Sequence, residues 1–203
     1  MTTPPHPLIG LTGYKKAGKD TVAEMLGVIA GYERYAFADG VREALYTLDP
    51  LIGGEKSLRA LVDASGWDAA KRHRIYGPEV TRLMQVLGTE VGQSFFGKGA
   101  WIQVLASELD SAGGPSTAHP VVVTDVRYAH EAQWLIDNGG LIWRVERPGT
   151  GPVGTHSSER PLDEKYVHRR IPNDSTRSAL SLQIAAALEH APVMAAHPAA
   201  AAA

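Results

Sequence analysis

The segment Gly13 to Thr21, GYKKAGKDT, constrains what this chain can fold into more than any other. It follows a short apolar, β-branched run, Leu8 to Thr12 (LIGLT), and leads into apolar positions at Val22, Ala23, Leu26, Val28 and Ile29. A buried strand that runs into glycine and emerges as a helix frames a phosphate-cradling loop. Gly13 and Gly18 allow backbone N–H groups to turn inward as an anion nest at a helix N-terminus, with Lys16 and Ala17 in the same turn. Lys19 supplies a point charge for β- and γ-phosphates. Asp20 stands where the commonest pattern has its hydroxyl, which comes one place later at Thr21. That offset sets Thr21 either on a phosphate oxygen or, mostly through water, near a Mg²⁺ ion, with Asp20 beside the metal. The alternative is a chance glycine-rich turn, which the pattern further along the chain disfavours.

Downstream, Val121 to Thr124 (VVVT) forms a second apolar strand ending at Asp125. A helix over Ala129 to Asp137, a glycine pair and a third strand, Leu141 to Val145, complete a βαβ unit and hence a parallel sheet. Tyr35 to Ala38 (YAFA) reads as another short strand. Asp39 is placed to cap a helix over Val41 to Leu48 that Pro50 ends. Ser57 to Ala64 reads as helical, whereas GWDAAKRHRIYG fits no one element. Pro78 starts a long amphipathic helix reaching about Ser94, and another follows over Ala100 to Leu109. A last strand over Val167 to Ile171 and a closing helix over Ser175 to Glu189 finish the pattern. The expected fold is a three-layer α/β P-loop domain over residues 1–190. It carries a helical insertion at 39–110, a mobile lid loop at 147–165 and a disordered tail at 191–203.

Further residues cluster around this frame. In open α/β sheets ligands bind at the strand C-termini, so Asp125 and Arg127 face the phosphates. Asp125 would orient metal-bound water or the attacking group, and Arg127 would clamp a phosphoryl oxygen. The other reading makes Asp125 a helix cap and pairs Arg127 with Glu131 on the surface, leaving Glu131 open between substrate and structure. Arg82, Gln85 and Thr89 fall at i, i+3 and i+7 on one helix face. They suit a planar base or a phosphate, or else form a solvated face. Asp39 and Arg42 lie one helical turn apart, and Trp101 either stacks on a base or belongs to the core. Arg147, His156, Glu159 and Arg160 sit in the lid loop, where arginines neutralise phosphoryl charge and exclude water.

Composition narrows the classes. Apolar residues make up 44% and charged residues 21%, with a formal net charge of −2. That balance implies no nucleic-acid or membrane surface. With no cysteine, disulfides and thiolate chemistry are excluded, and the eight histidines show no zinc-binding spacing. No signal peptide or run of about 20 apolar residues is visible, so a cytoplasmic location is expected.

Taken together, these residues resemble the deoxynucleoside monophosphate kinases of tailed bacteriophages. The resemblance runs from Leu8 to about Ile184. It rests on GYKKAGKDT, FADGVREAL, RLMQVLGTE with Trp101 after it, TDVRYAHEA, RVERPG, THSSE and IPNDST, in that order. The GK-x-T spacing is that of adenylate-kinase-like enzymes. The resemblance implies transfer of the γ-phosphoryl of ATP, with Mg²⁺, to a deoxynucleoside 5′-monophosphate, giving the diphosphate and ADP, in a homodimer. It makes 39–110 the acceptor-binding insertion, with Asp39, Arg42, Arg82, Gln85 and Trp101 around the deoxynucleotide, and puts Arg127 and Arg147 on the transferring phosphoryl. Asn173 and Asp174 follow the last strand, where this fold holds adenine, or else form an Asx turn capping the final helix. Two other readings stay open: a phosphomevalonate- or dephospho-coenzyme-A-like kinase, and a nucleotide-binding regulatory module with little turnover. Residues 51–77 and ERPLDEKYVHRR match no pattern in the family.

Overall fold

A computed structural model of the protein describes residues 6–152 and 160–190. In chain order the elements begin β1 (Leu8–Thr12), α1 (Lys19–Ala30), β2 (Glu33–Tyr35), α2 (Phe37–Leu48), β3 (Leu51–Ile52), β4 (Lys56–Ser57), α3 (Leu58–Arg72) and α4 (Gly77–Gln85). A π-helical segment (Val86–Val91), α5 (Gly92–Phe95), α6 (Ala100–Ser111), β5 (Val121–Val123), α7 (Ala129–Asp137), β6 (Leu141–Glu146), a 3-10 turn (Glu164–Tyr166), β7 (Arg169–Pro172) and α8 (Arg177–Glu189) follow. Contacts divide the chain into two compact units. Residues 1–36 and 107–203 form one, and Phe37–Ala106 the other.

The first unit is built on a five-stranded sheet in the order β2-β5-β1-β6-β7, every pairing parallel. β1 is central, with Gly10 opposite both Val123 and Ile142. All five residues of β1 are buried, as a strand covered on both faces must be. Alternation then assigns the faces. Ile9, Leu11, Leu141, Trp143 and Val145 join Val22, Leu26, Leu180 and Ile184 in one core that binds α1 and α8 to the sheet. Gly10 points the other way. A Cβ there would come within 2.7 Å of Leu135 and 2.8 Å of Ile142, so α7 packs directly on β1. The result is a three-layer α/β fold. Each fully buried Leu or Ile in it contributes roughly 1.5–3 kcal/mol. Among the described residues no helix is long and apolar enough to cross a membrane.

The Phe37–Ala106 unit has its own core of Val41, Leu45, Ile52, Leu58, Leu61, Val62, Ala70 and Val80, with Trp67, Leu87 and Trp101 packed against it. The stretch 51–77, which fits no family pattern, is a β3–β4 hairpin followed by α3. Ser57 caps α3 by accepting from the Ala60 N–H, and Gly66 kinks it (φ 76, ψ 162).

Two expectations are corrected and one is refined. The second strand is Glu33–Tyr35, not 35–38, because Phe37 already opens α2, and Asp39 therefore lies inside the first turn instead of capping it. Helix α2 ends at Leu48, as expected, two residues before Pro50. Asp49 adopts a left-handed conformation (φ 46), and its carboxylate accepts from Ser57 Oγ at 2.6 Å and Arg59 N at 2.8 Å. The long helix after Pro78 is not uniformly α-helical, since Val86–Val91 forms wider π turns.

Candidate functional site

The loop after β1 is fixed by its own backbone. Gly13 (φ 138) and Gly18 (φ 103) lie where side-chain-bearing residues are strained. A Cβ on Gly13 would meet the Val145 carbonyl oxygen at 2.4 Å, so the loop rests directly against β6. The Ala17 N–H donates to Tyr14 O at 3.1 Å, and Gly18 caps α1 with its carbonyl on the Val22 N–H at 2.9 Å. Lys19 Nζ donates to the carbonyls of Gly13 at 2.8 Å and Tyr14 at 3.0 Å.

A cavity of about 410 Å³ opens beside this loop. Its walls include Thr12, Gly13, Tyr14, Lys15 and Lys19 from the loop side, Arg127 after β5, and Arg144, Glu146 and Arg147 from the end of β6. Arg160, Leu162 and Glu164 close it. Six cationic side chains thus share one cavity with two carboxylates, a balance that favours a polyanion such as a triphosphate. Arg144, only 12% exposed, is gripped by the Glu164 carboxylate and the Leu162 carbonyl. Arg170 bridges Glu164 and Glu146 at 2.8 and 3.0 Å, so the acids are tied to flanking arginines and hold the wall in place.

Among the expected residues, Lys19, Arg127 and Arg147 come together here, with Gly13. Asp125 lies in the same loop after β5 as Arg127 and is half-buried. Thr21 is half-buried in the first turn of α1, whereas Asp20 and Lys16 are exposed and do not line the cavity. Glu131 is corrected. It is buried, and its carboxylate accepts from the backbone N–H groups of Arg127 at 2.7 Å and Tyr128 at 3.0 Å, capping α7. Burial, reinforced by the charge of Asp125, raises its pKa to about 8 against the opposing pull of those N–H groups. Asn173 and Asp174 follow β7 as expected, but the Asn173 amide turns to the phosphate loop and donates to Ala17 O at 2.8 Å. Asp174 is exposed. His156 and Glu159 lie outside the described residues.

In the Phe37–Ala106 unit, a second cavity of about 360 Å³ is lined by Asp39, Arg42, Glu43, Tyr46, Val62 and Trp67. Arg42 Nη1 and Asp39 Oδ1 are 2.5 Å apart, and Arg42 Nε is buried without a hydrogen-bond partner. Tyr46 is held by its hydroxyl on Asp63 at 2.7 Å and by Arg59 stacked 5.1 Å from the ring centre. Arg82 and Gln85 share a face of α4, but Arg82 is 61% exposed, and the π turns take Thr89 out of α-helical register with them. The Trp101 indole N–H donates to Gly88 O at 2.8 Å inside the same unit. Its polar atom is thereby engaged, and the ring is half-buried against the core.

Sequence reasoning missed Glu43, Tyr46, Val62 and Trp67, and it used Arg144 only as part of a motif. Arg42 and Tyr46 at i, i+4 signalled the first pair. Trp67 follows a kink that no periodicity announces. Among the described residues no three His, Asp or Glu side chains cluster as metal ligands.

Residues 75–184 match the deoxynucleotide monophosphate kinase family, more than half of the chain. A protein of Acanthamoeba polyphaga mimivirus, provisionally described as a deoxynucleotide monophosphate kinase, is 26% identical over 92% of this chain and 98% of its own length. The deoxynucleotide monophosphate kinase of Escherichia phage RB69 is 31% identical over 52% of this chain and 43% of that protein. Among solved structures, dephospho-CoA kinase from Campylobacter jejuni aligns with 90% of this chain and 96% of that one, at 10% identity and a TM-score of 0.45. That likeness says nothing of substrate. The matched segment contains Arg127, Arg144, Arg147 and Asn173, the cationic wall and the residue that touches the phosphate loop. The chain therefore belongs to the deoxynucleotide monophosphate kinase family and, with it, to the transferases.

Proposed function

We propose that the protein transfers the γ-phosphoryl group of ATP, as its Mg²⁺ complex, to a deoxynucleoside 5′-monophosphate, releasing ADP and the deoxynucleoside diphosphate. The observation that carries this is the convergence of Lys19, Arg127, Arg144 and Arg147 on one cavity beside a glycine loop at a helix N-terminus. An oxygen of the acceptor phosphate attacks the γ-phosphorus in line as its bond to the β-γ bridging oxygen breaks, and no enzyme-bound intermediate is required. The loop and Lys19 hold the donor phosphates, and Arg127 and Arg147 neutralise charge on the group in transit. Mg²⁺ is suited by the hard oxygens of Thr21, Asp20 and Asp125. When bound it would supply charge neutralisation on the phosphates, reached mostly through water. The Phe37–Ala106 unit takes the acceptor, with Asp39, Arg42, Tyr46 and Trp67 offering charge and an aromatic wall for a nucleotide. A homodimer belongs to the same reading.

The test is ADP release with ATP and Mg²⁺ across the four deoxynucleoside monophosphates, their ribonucleotide counterparts, phosphomevalonate and dephospho-coenzyme A. Acceptor-stimulated ADP formation with at least one deoxynucleotide is expected. ATP binding without it would leave a regulatory module, and stimulation by another acceptor alone would move the chain to a different small-molecule kinase. Sedimentation reports the dimer.

A further inference from the structure

Asn173 touches the loop that the donor phosphates occupy, yet it is 156 residues from its partner in sequence. Its position is set on both sides. Its backbone N–H donates to Glu146 O at 2.7 Å, continuing the β6–β7 ladder, and helix α8 starts shortly afterwards behind its Thr176 cap. From that anchored base the side-chain amide reaches Ala17 O at 2.8 Å. Ala17 is fully buried, and a Cβ on Gly18 would lie 2.3 Å from Asn173 Nδ2, so the amide fills the space left by the glycine.

Peptide geometry gives this contact a consequence. In a trans peptide the carbonyl of one residue and the N–H of the next point in opposite directions. Holding the Ala17 carbonyl towards Asn173 therefore aims the Gly18 N–H away from it. Rotation of that peptide would break the hydrogen bond to Asn173. A loop that binds phosphate through backbone N–H groups depends on each peptide keeping its orientation.

We infer that Asn173 is a positioning residue for the phosphate loop, fixing the Ala17–Gly18 peptide so that its N–H serves the donor phosphates, whatever base the donor carries. The inference rests on the proposed role of the loop in holding those phosphates. It differs from adenine recognition in one measurable respect. A base-reading residue affects nucleotides only, whereas a loop brace affects any polyphosphate.

The experiment compares binding of Mg·ATP and of Mg·tripolyphosphate, which has no base, to the full chain by calorimetry. Asn173→Ala should weaken both by the same factor, about tenfold, the size of one lost hydrogen bond. Asn173→Asp, which sets a carboxylate against the Ala17 carbonyl, should weaken both further. In turnover, KM for the acceptor should stay unchanged while kcat/KM for ATP falls, and the melting temperature without ligand should move little. Loss of ATP binding with tripolyphosphate binding intact would overturn the inference in favour of base recognition, and wild-type binding of both would overturn it outright. If Asn173→Ala does not fold, Asn173→Ser carries the same comparison. No acceptor is present in the titration, so its outcome is independent of which nucleotide is phosphorylated.

Discussion

Lys19 and Arg127 meet the same cavity from different directions, one from the start of α1 and one from the loop after β5. Lys19→Ala should lower turnover by several orders of magnitude with the circular-dichroism spectrum unchanged; near-normal transfer to any deoxynucleotide would remove the loop from the mechanism. Arg127→Ala should reduce kcat by about a hundredfold, the loss expected for a transition-state charge clamp. A rise in KM alone would make it a ground-state contact. Glu131 makes a different kind of prediction. Its carboxyl has a pKa of about 8 in the folded chain against an ordinary 4.5, so between those values the folded protein keeps a proton that the unfolded chain has released. Its contribution to stability is complete below about pH 4.5, falls as pH rises and is gone above about 8. Glu131→Gln keeps an oxygen for the two N–H groups but cannot titrate. Its melting temperature relative to the parent should therefore climb from pH 5 to pH 8, and a constant difference would contradict the buried, protonated acid. At this scale the sequence showed the cationic residues but not their state of burial. Glu131, four places after Arg127, has the spacing of a surface pair, and only the fold reveals that the carboxylate turns inward onto its own helix.

At the scale of elements, legibility followed the physics that makes each element. β1, β5, β6, α1 and α7 are continuous apolar runs or clean helical periods bounded by glycine, and they fall where the pattern puts them. β2 is three residues long with two of them exposed, and such a strand is specified by its ladder to β5 rather than by its composition. The π segment is equally hidden. Its residues continue the apolar period of α4, and what holds the widened turn is tertiary, through the Trp101 indole on Gly88. Trp101→Phe keeps an aromatic ring, though a smaller one, and removes that donor. The expected result is a loss of about 1 kcal/mol in chemical denaturation with acceptor KM nearly unchanged. A tenfold rise in acceptor KM at undiminished stability would instead return Trp101 to the nucleotide.

The whole molecule divides its work between two units with separate cores, and the proposed function divides accordingly. Trp67→Ala should raise KM for the deoxynucleotide with KM for ATP unchanged, while Arg147→Ala should depress kcat for every acceptor equally. Initial rates over a grid of both substrates would show either pattern, and a shift in both KM values by Trp67→Ala would break the division. The order of the sheet also bears on how the chain is made. β1 is synthesised before the other strands of its sheet, yet both of its neighbours, β5 and β6, lie beyond the whole Phe37–Ala106 unit. β1, apolar on both faces, must therefore wait unpaired on both edges until β5 (Val121–Val123) has emerged, and on one edge until β6 (Leu141–Glu146) follows. In the meantime the later-made unit can condense on local contacts. The phosphate loop, whose shape depends on Val145 and Asn173, is thus completed long after its own residues are made. A nascent chain should acquire nucleotide affinity only once Asn173 has been made and can reach Ala17.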